Sequence, residues 1–256
     1  MNDDLRIPAE SYHYETDDHA VHETGGVAPA AVPPPIPDYL QDTYWWAYLH
    51  PKSLWLFEHE WIVNLILWGN MKKLTNAVLD EMELPSHSNV LQVACVYGDF
   101  SNRLASHLGQ SQSSLSIVDV ASIQVRNVED KLKAHDNVTV HHQDSTRLLF
   151  ADNSQDETIV FFLLHEQPED ARRKTVAEAM RVTRPGGRVV FVDYHGPVRS
   201  NPMRYVMKPI LALLEPFALD LWREELPAYM SEEIKSAQIS SSFYFGGLYQ
   251  KVVVAL

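Results

Sequence analysis

Short apolar runs alternate with segments of helical apolar spacing over the last two thirds of this chain. Apolar runs of strand length occupy residues 90–94, 114–120, 138–141, 158–164 and 188–196. Residues 100–108, 121–135 and 171–182 lie between them, and their apolar positions recur every three to four residues. This alternation predicts an α/β fold with a mostly parallel sheet. Two further apolar segments, 239–245 and 248–255, are separated by Gly246 and Gly247 and predict a terminal antiparallel hairpin.

The remaining segments divide into a tail, a cap and a cover. Residues 1–35 are polar, acidic and then rich in Pro and Ala, which predicts a disordered tail ahead of one domain at 36–256. Residues 36–75 predict an aromatic helical cap, because 37–70 hold five Trp and three Tyr. Such a cap either encloses an aromatic or lipidic substrate, touches a membrane surface, or packs on the sheet. Residues 200–235 predict an apolar cover interrupted by Pro209 and Pro216, which lines a channel, rests on a membrane or simply packs.

Charge and cysteine content exclude several classes of protein. The chain has 21 Lys and Arg against 34 Asp and Glu, a net charge of −13, so it lacks the basic surface of a general nucleic-acid binder. Cys95 is the only cysteine, which rules out an internal disulfide. We expect neither a transmembrane helix nor a signal peptide, since no long apolar run and no basic, apolar start is present. These features predict a cytoplasmic protein.

The turn after the first predicted strand is the first candidate ligand site. In doubly wound α/β folds this turn approaches a bound nucleotide, and here Gly98 is its one glycine. Asp119 ends the second strand 21 residues later, the spacing at which an acid binds the ribose hydroxyls. The alternative is that Asp119 only caps the helix that follows.

Two pairs of polar residues end the later strands. His165 and Glu166 follow the fourth strand, and Asp193 and His195 end the fifth. Imidazole beside carboxylate suits both a divalent metal and acid–base chemistry. Polar strand ends and the start of a helix explain the same residues equally well.

The chain contains the turn sequence NVLQVACVYGDFS, the acids Asp119 and Asp144, and the later segments RPGG and VDYH. In these motifs it resembles the class I S-adenosylmethionine (SAM) methyltransferases, and among them the ubiquinone/menaquinone C-methyltransferases. Gln92 stands where that family has an acid, and Ala94 and Val96 stand where it has glycines. With the segments PDYLQDTYWWAYLHPKSLW and LILWGN, this altered turn is similar to the rhodoquinone biosynthesis (RquA) family. The resemblance implies a Rossmann-like methyltransferase fold with a seven-stranded sheet and an N-terminal helical cap. It also implies SAM binding by Gln92, Ala94, Val96, Gly98, Asp119, Val120, Asp144 and Ser145. Asp144 would reach the adenine amino group, or would instead form an Asx turn.

The same resemblance implies an activity. The family converts ubiquinone to rhodoquinone by replacing a ring methoxy with an amino group, with SAM as the amino donor and a divalent metal, manganese, assisting. Ubiquinone as substrate implies peripheral contact with the cytoplasmic side of the inner membrane. The candidate metal ligands are His165, Glu166, Asp193 and His195, and the candidate catalytic residues are Tyr48, Tyr97 and His165, with Tyr194 as a further proton donor.

Two alternatives remain open. One is a conventional SAM-dependent methyltransferase acting on a quinone or another lipid. The other is a non-catalytic binding module that keeps the methyltransferase fold. Retention of both Asp119 and Asp144 argues against complete loss of SAM binding. Gln92 is neutral, so we expect it to hold the α-ammonium of SAM less strongly than an acid would. Val96 and Tyr97 are expected to crowd the methionine part of SAM.

Overall fold

The computed structural model describes residues 33–44, 55–231 and 238–256. Pro33–Leu256 forms one compact unit. The predicted tail lies almost entirely outside the described residues, as do Tyr48 and part of the predicted cap. The helices are α1 (Asp38–Thr43), α2 (Glu60–Ile66), α3 (Met71–Leu79), α4 (Phe100–Gln110), α5 (Ser122–Leu132), α6 (Glu169–Val182) and α7 (Met203–Leu214). Short 3-10 turns occupy Leu164–Glu166, Pro216–Leu219 and Leu226–Tyr229.

The sheet has seven strands, β1 (Asn89–Val93), β2 (Ser114–Asp119), β3 (Val138–His142), β4 (Gln155–Phe161), β5 (Thr183–Tyr194), β6 (Gln238–Tyr244) and β7 (Tyr249–Ala255). Their order is β3-β2-β1-β4-β5-β7-β6. The first five pair in parallel, and β7 runs antiparallel to both β5 and β6. The predicted α/β fold with a mostly parallel sheet and a terminal hairpin is therefore confirmed.

Helices cover both faces of the sheet, which explains why its central strands read as continuous apolar runs. One core packs α3, α4 and α5 against the sheet, with the Phe100 ring stacked on Phe161 at 4.0 Å between centroids. The other core packs α6 and the 3-10 turn Leu226–Tyr229 against the opposite face. All five parallel strands thus end at one edge, where ligands bind in open α/β sheets.

Three elements differ from what the sequence predicts, which is helical spacing over 53–73, a tight turn at RPGG (184–187) and a helix over 226–237. The helical pattern of 53–73 divides into α2 and α3 because Trp68 (φ 52°) and Gly69 (φ 75°) adopt left-handed backbone angles between them. The segment RPGG lies inside β5 rather than forming a turn before it, and the pairing of β4 with β5 shifts register there. Residues 226–237 were expected to be helical, but the structure has a 3-10 turn at Leu226–Tyr229 and does not describe 232–237. Within the described ranges, no helix has the length and apolar character to cross a bilayer.

Candidate functional site

A cavity of about 540 Å³ lies at the carboxyl edge of the sheet. Its floor consists of the segments that follow the strands: 94–97 after β1, 118–121 at the end of β2, 143 and 145 after β3, 161–166 at the end of β4, and Tyr194 at the end of β5. Its roof consists of Tyr39 and Leu40 from α1, residues 63–68 of α2 and its end, and residues 207–215 of α7 and its end. The described parts of the cap and of the cover therefore both enclose this cavity.

The β1 turn holds its shape through Gln92 rather than through glycines. Ala94 adopts a left-handed backbone (φ 73°), which L residues other than Asn and Asp rarely do. The fully buried Gln92 amide donates to the Ala94 carbonyl and to Ser101 Oγ, each at 2.9 Å. Ala94 and Val96 line the cavity, whereas Gln92 is outside the lining set. Gln92 thus ties the turn to the first turn of α4, and its predicted contact with SAM stays a prediction.

Gly98 lies on the far side of the same turn. Its backbone is left-handed (φ 76°), and a Cβ there would meet Glu60 and Val63 of α2 at 3.9 Å. Its carbonyl accepts a hydrogen bond from Lys131 Nζ at 2.9 Å. Gly98 therefore joins the turn to α2 and α5, and its predicted role in SAM binding is untested.

Asp119 faces the cavity beside this turn. Its carboxylate accepts hydrogen bonds from the backbone N–H of Cys95 and of Ala121, both at 2.8 Å. Burial raises the pKa of Asp119, although these backbone donors partly offset the effect. The Cys95 side chain also bonds to this carboxylate, which keeps acceptor capacity for a further donor such as a ribose hydroxyl. Val120 lines the cavity next to it.

Cys95 lies beside Asp119 in the β1 turn. Burial raises the pKa of its thiol, so the side chain is a packed thiol rather than a nucleophilic thiolate.

The loop after β3 divides its polar residues between structure and cavity. Asp144 Oδ1 accepts hydrogen bonds from the backbone N–H and the Oγ1 of Thr146, both at 2.8 Å, which is the Asx turn that the sequence left open. Ser145 and Gln143 line the cavity, and Ser145 Oγ lies 2.9 Å from Thr175 Oγ1. The structure therefore brings Ser145 and Gln143 to the cavity wall, while Asp144 shapes the loop that carries them.

Four ionisable side chains form what we call the acid–base cluster: the buried His165, Glu166 and Asp193, and the half-buried Glu215. His165 Nδ1 lies 2.9 Å from Asp193 Oδ1, and His165 Nε2 lies 3.7 Å from Glu166 Oε1. Burial alone would lower the pKa of His165, but the charge of Asp193, followed by Glu215 and Glu166, raises it to about 9. His165 is therefore an imidazolium near neutral pH. His165, Glu166 and Glu215 line the cavity, while Asp193 lies behind them.

Glu215 is the member of this cluster that sequence reasoning missed. It follows the last residue of α7, 50 positions from His165, and burial raises the pKa of its carboxyl. Tyr44, at the end of α1, interacts with it electrostatically and through a hydrogen bond. The available signal was a single acid between an apolar helix and Pro216.

Arg172 fixes the backbone that carries the cluster. It is fully buried and donates to the carbonyls of Leu164, Gln167 and Phe217, each at 2.9 Å, and to the Tyr229 hydroxyl at 2.8 Å. These partners lie on both sides of His165 and just after Glu215. The Arg172 guanidinium therefore joins the turn after β4 to the 3-10 turn Pro216–Leu219 within the cover.

The predicted metal ligands do not fit a divalent ion in this arrangement. Asp193 already accepts backbone hydrogen bonds from Leu164, His165 and Tyr194 while it pairs with the His165 ring. His195 Nδ1 lies 2.7 Å from the Gly247 carbonyl oxygen, whereas Asp193 pairs with His165, so the predicted pairing of Asp193 with His195 stays a prediction. The described residues contain no cluster of three or more His, Cys, Asp or Glu arranged for a metal. The structure does not support the manganese site.

Three tyrosines line the cavity. Tyr97 accepts a hydrogen bond from Gln124 Nε2 at 2.6 Å, and its ring lies 5.5 Å from that of Phe57. Tyr194 lies 5.0 Å from the His165 ring, and Tyr39 enters from α1. Burial raises the pKa of all three hydroxyls, so each is a neutral proton donor at physiological pH.

The charged residues of the lining are mostly acidic. Asp119, Glu166 and Glu215 face the cavity with His165, and none of the described lining residues is Lys or Arg. Most of the remaining wall is aliphatic or aromatic. Such a cavity favours a ligand that combines positive charge with apolar surface.

Comparisons with known proteins agree with this geometry. A family model described as a methyltransferase domain matches residues 90–187. Demethylmenaquinone methyltransferase of Staphylococcus aureus strain MRSA252 is 28% identical over 184 residues, which are 72% of each chain.

Solved structures share the fold at low sequence identity. The mitomycin 7-O-methyltransferase MmcR has a TM-score of 0.61 at 12% identity, over 84% of this chain and 61% of that one. The PH0226 protein of Pyrococcus horikoshii OT3 has a TM-score of 0.57 at 13% identity, over 86% of this chain and 99% of that one. Together, the sheet order and these solved structures show that the chain has the methyltransferase fold, and its residues 90–187 match the methyltransferase domain model.

Proposed function

We propose that this protein is a SAM-dependent transferase that acts on a quinone, and that its reaction replaces a methoxy group of ubiquinone by an amino group to give rhodoquinone. The observation that carries the transferase proposal is the cavity itself, in which Asp119 and the β1 turn lie at one side and the acid–base cluster at the other. The relative's name, demethylmenaquinone methyltransferase, supports the quinone. The amino transfer rests on the sequence resemblance to the rhodoquinone biosynthesis family.

The residues at the β1 and β2 ends suit SAM. Asp119 would accept hydrogen bonds from the ribose hydroxyls, and Val120, Ser145 and Gln143 would surround the adenine. Ala94 and Val96 have no polar side chains, so their backbone would lie directly beside the methionine part of SAM. The acidic lining favours the sulfonium and ammonium charges of SAM over an anionic ligand. Bound SAM would supply the transferred group.

The roof suits an apolar ring and its isoprenoid tail. Ile66, Trp68, Leu211 and Leu214 form an aliphatic and aromatic wall opposite the sheet edge. Burying apolar surface gives about 25 cal/mol per Å², so such a wall favours a quinone over a water-soluble phenol. Phe162 packs edge-on against His165 and Tyr194, which sets the floor beneath the ring.

The acid–base cluster supplies the proton transfers that amination requires. Replacing methoxy by an amine forms a carbon–nitrogen bond, breaks a carbon–oxygen bond and moves one proton from the amine to the departing methoxide. Glu215 would accept the amine proton, and the His165 imidazolium would donate to methoxide, which leaves as methanol. The donor's own Cα–N bond would then break by elimination: a base takes a proton from the donor Cβ, a Cα=Cβ bond forms, and the released nitrogen takes up a proton to give the aminoquinone. Tyr97 and Tyr194 are neutral donors near the ring oxygens in this proposal.

A conventional quinone methyltransferase is the second candidate, and the demethylmenaquinone methyltransferase relative favours it specifically. In that case Glu215 or Glu166 would act as general base on the ring or hydroxyl that receives the methyl group. A third possibility, a non-catalytic binding module, predicts a cavity that no longer binds SAM.

Calorimetry and product analysis separate the three. Purified protein should bind SAM, and Asp119→Ala should weaken the binding about 10- to 100-fold, since one hydrogen bond to a charged group contributes about 1.5–3 kcal/mol. Asp156→Ala is the matched control, because Asp156 lies outside the cavity lining and pairs with Arg184. Absence of SAM binding by the wild type would favour the binding module. Mass spectrometry of quinone incubated with SAM distinguishes aminated from methylated product.

A further inference from the structure

Two helices expose large apolar side chains around the mouth of the cavity. We call this surface the apolar rim and define it by Trp61, Leu65, Ile66 and Trp68 of α2 and its end, and by Tyr205, Val206, Ile210, Leu213 and Leu214 of α7. Leu213 is 80% exposed, Tyr205 76%, Leu65 67% and Trp61 64%. Single exposed apolar residues are common on proteins, whereas a contiguous exposed apolar surface marks an interaction site.

The rim continues directly into the cavity. Leu65, Ile66, Trp68, Ile210 and Leu214 are exposed and also line the cavity. Trp68 Nε1 donates to Met207 Sδ at 3.1 Å, which joins the α2 and α7 sides. An apolar molecule lying on the rim therefore reaches the cavity without leaving an apolar surface.

The charges near the rim differ from those of the whole chain. The chain carries −13, yet α7 holds Arg204 and Lys208 and no acid. Lys72 is exposed at the start of α3. On the α2 side, Glu58 is neutralised by Lys131 at 2.7 Å, which leaves Glu60 as the acid of the first helical turn. Cations beside exposed Trp, Tyr and Leu are typical of surfaces that rest on anionic lipid.

We propose that the apolar rim docks on an anionic phospholipid membrane, with the cavity mouth facing the bilayer, so that a lipid substrate enters without crossing water. Leu213 and Tyr205 insert among the acyl chains, while Arg204 and Lys208 contact lipid phosphates. The identity of that substrate as a quinone rests on the proposed function. The docking itself rests only on the rim, its continuity with the cavity and its charge.

The test is flotation of the full-length protein with vesicles of phosphatidylcholine containing about one quarter phosphatidylglycerol. The variant is Leu213→Asp, which changes an exposed rim residue outside the cavity lining. The matched control is Leu149→Asp, since Leu149 is 62% exposed and lies beyond edge strand β3, outside the lining. Thermal unfolding verifies that both variants fold like the wild type.

We expect wild type and Leu149→Asp to float with the anionic vesicles, and Leu213→Asp to lose at least about 10-fold in vesicle affinity. Wild-type protein that stays in the soluble fraction would overturn the proposal, as would equal binding by Leu213→Asp. A concentration-dependent dimer in sedimentation that Leu213→Asp disperses, without vesicle binding, would assign the rim to a second copy of the chain instead.

A second readout keeps this inference separate from the proposed function. Leu213→Asp should convert a soluble quinone with a short tail at the wild-type rate, but should lose turnover of long-tail quinone embedded in vesicles. Equal loss with both substrates would contradict a docking role. If no protein converts either quinone, the proposed function fails, and flotation still decides the docking surface.

Discussion

Replacing Asp193 by Asn should lower the pKa of His165 and make stability depend less on pH. Asp193 is 1% exposed, and its Oδ1 lies 2.9 Å from His165 Nδ1. In the wild type its charge, together with Glu215 and Glu166, outweighs burial and raises the His165 pKa to about 9. Asn keeps the shape and one acceptor for the backbone donors but removes the charge. Without the Asp193 charge, the effect of burial outweighs that of the remaining acids, and we expect the pKa of His165 to fall below its ordinary 6.5.

The magnitude follows from the two pKa values. The difference between about 9 in the folded chain and about 6.5 in the unfolded chain corresponds to about 3 kcal/mol of stability. Because the folded pKa is the higher one, this stabilisation is fully present below pH 6.5 and is lost as the pH rises through 9. Asp193→Asn should therefore unfold more easily than wild type by about 3 kcal/mol at pH 6, with the difference shrinking toward pH 9.

Urea unfolding between pH 6 and pH 9 measures the stability difference. NMR titration of the imidazole C–H signals measures the pKa, with His165 assigned among the 12 histidines by comparison with His165→Gln. The control is Asp170→Asn, because the Asp170 side chain is 74% exposed and pairs with the exposed Lys174. If His165 still titrates above pH 8 in Asp193→Asn, or if the stability difference is the same at pH 6 and pH 9, the argument is refuted.

Three further substitutions test the framework around the cavity. Arg172→Lys should lower the free energy of unfolding in urea by about 2–4 kcal/mol, since Lys cannot donate to four buried acceptors. Arg173→Lys, at a half-exposed position, should lower it by under about 1 kcal/mol. Equal losses would contradict the role of the buried Arg172 guanidinium. Ala94→Gly should raise the thermal midpoint by about 2–4 °C because glycine accepts φ 73° without strain, and an unchanged or lower midpoint would oppose that explanation. Gly187→Ala should destabilise by more than about 2 kcal/mol, as its Cβ would lie 2.6 Å from a backbone oxygen, while Gly109→Ala in α4 has room at 3.9 Å and should be neutral or stabilising; similar unfolding curves for the two would show that the close contact relaxes freely.

The sequence predicts the sheet and one wall of the site for local reasons. Strand runs are read directly from apolar residues bounded by turns, and parallel strands put their carboxyl ends at one edge. Asp119 was therefore expected beside the β1 turn, and its carboxylate bonds to Cys95 and Ala121 there. Its role toward ribose stays a prediction. Aromatic and apolar density predicts a cap and a cover, and residues from the described parts of both segments line the cavity.

The rest depends on contacts between distant residues. Glu215 and His165 are 50 positions apart and meet only because α7 folds over the sheet edge. Arg172 stands beside Arg173 and Lys174 in what looks like a solvated face, yet helix phase turns it inward to four acceptors. The sequence does not indicate the hydrogen bond of Gln92 to Ser101, because Ser101 lies nine residues on, inside α4. Asp193 pairs with His165 of the turn after β4, a contact that the residue spacing within β5 does not indicate.

The most direct test of the account is isotope tracing of the quinone product. The purified protein is incubated with ubiquinone in anionic vesicles and with SAM labelled with heavy nitrogen at its α-amino group, with and without manganese, and the quinones are analysed by mass spectrometry. The account predicts an aminoquinone that carries the heavy nitrogen and has lost one methoxy group. A product that gains a methyl group and no heavy nitrogen would contradict amino transfer and establish a conventional quinone methyltransferase.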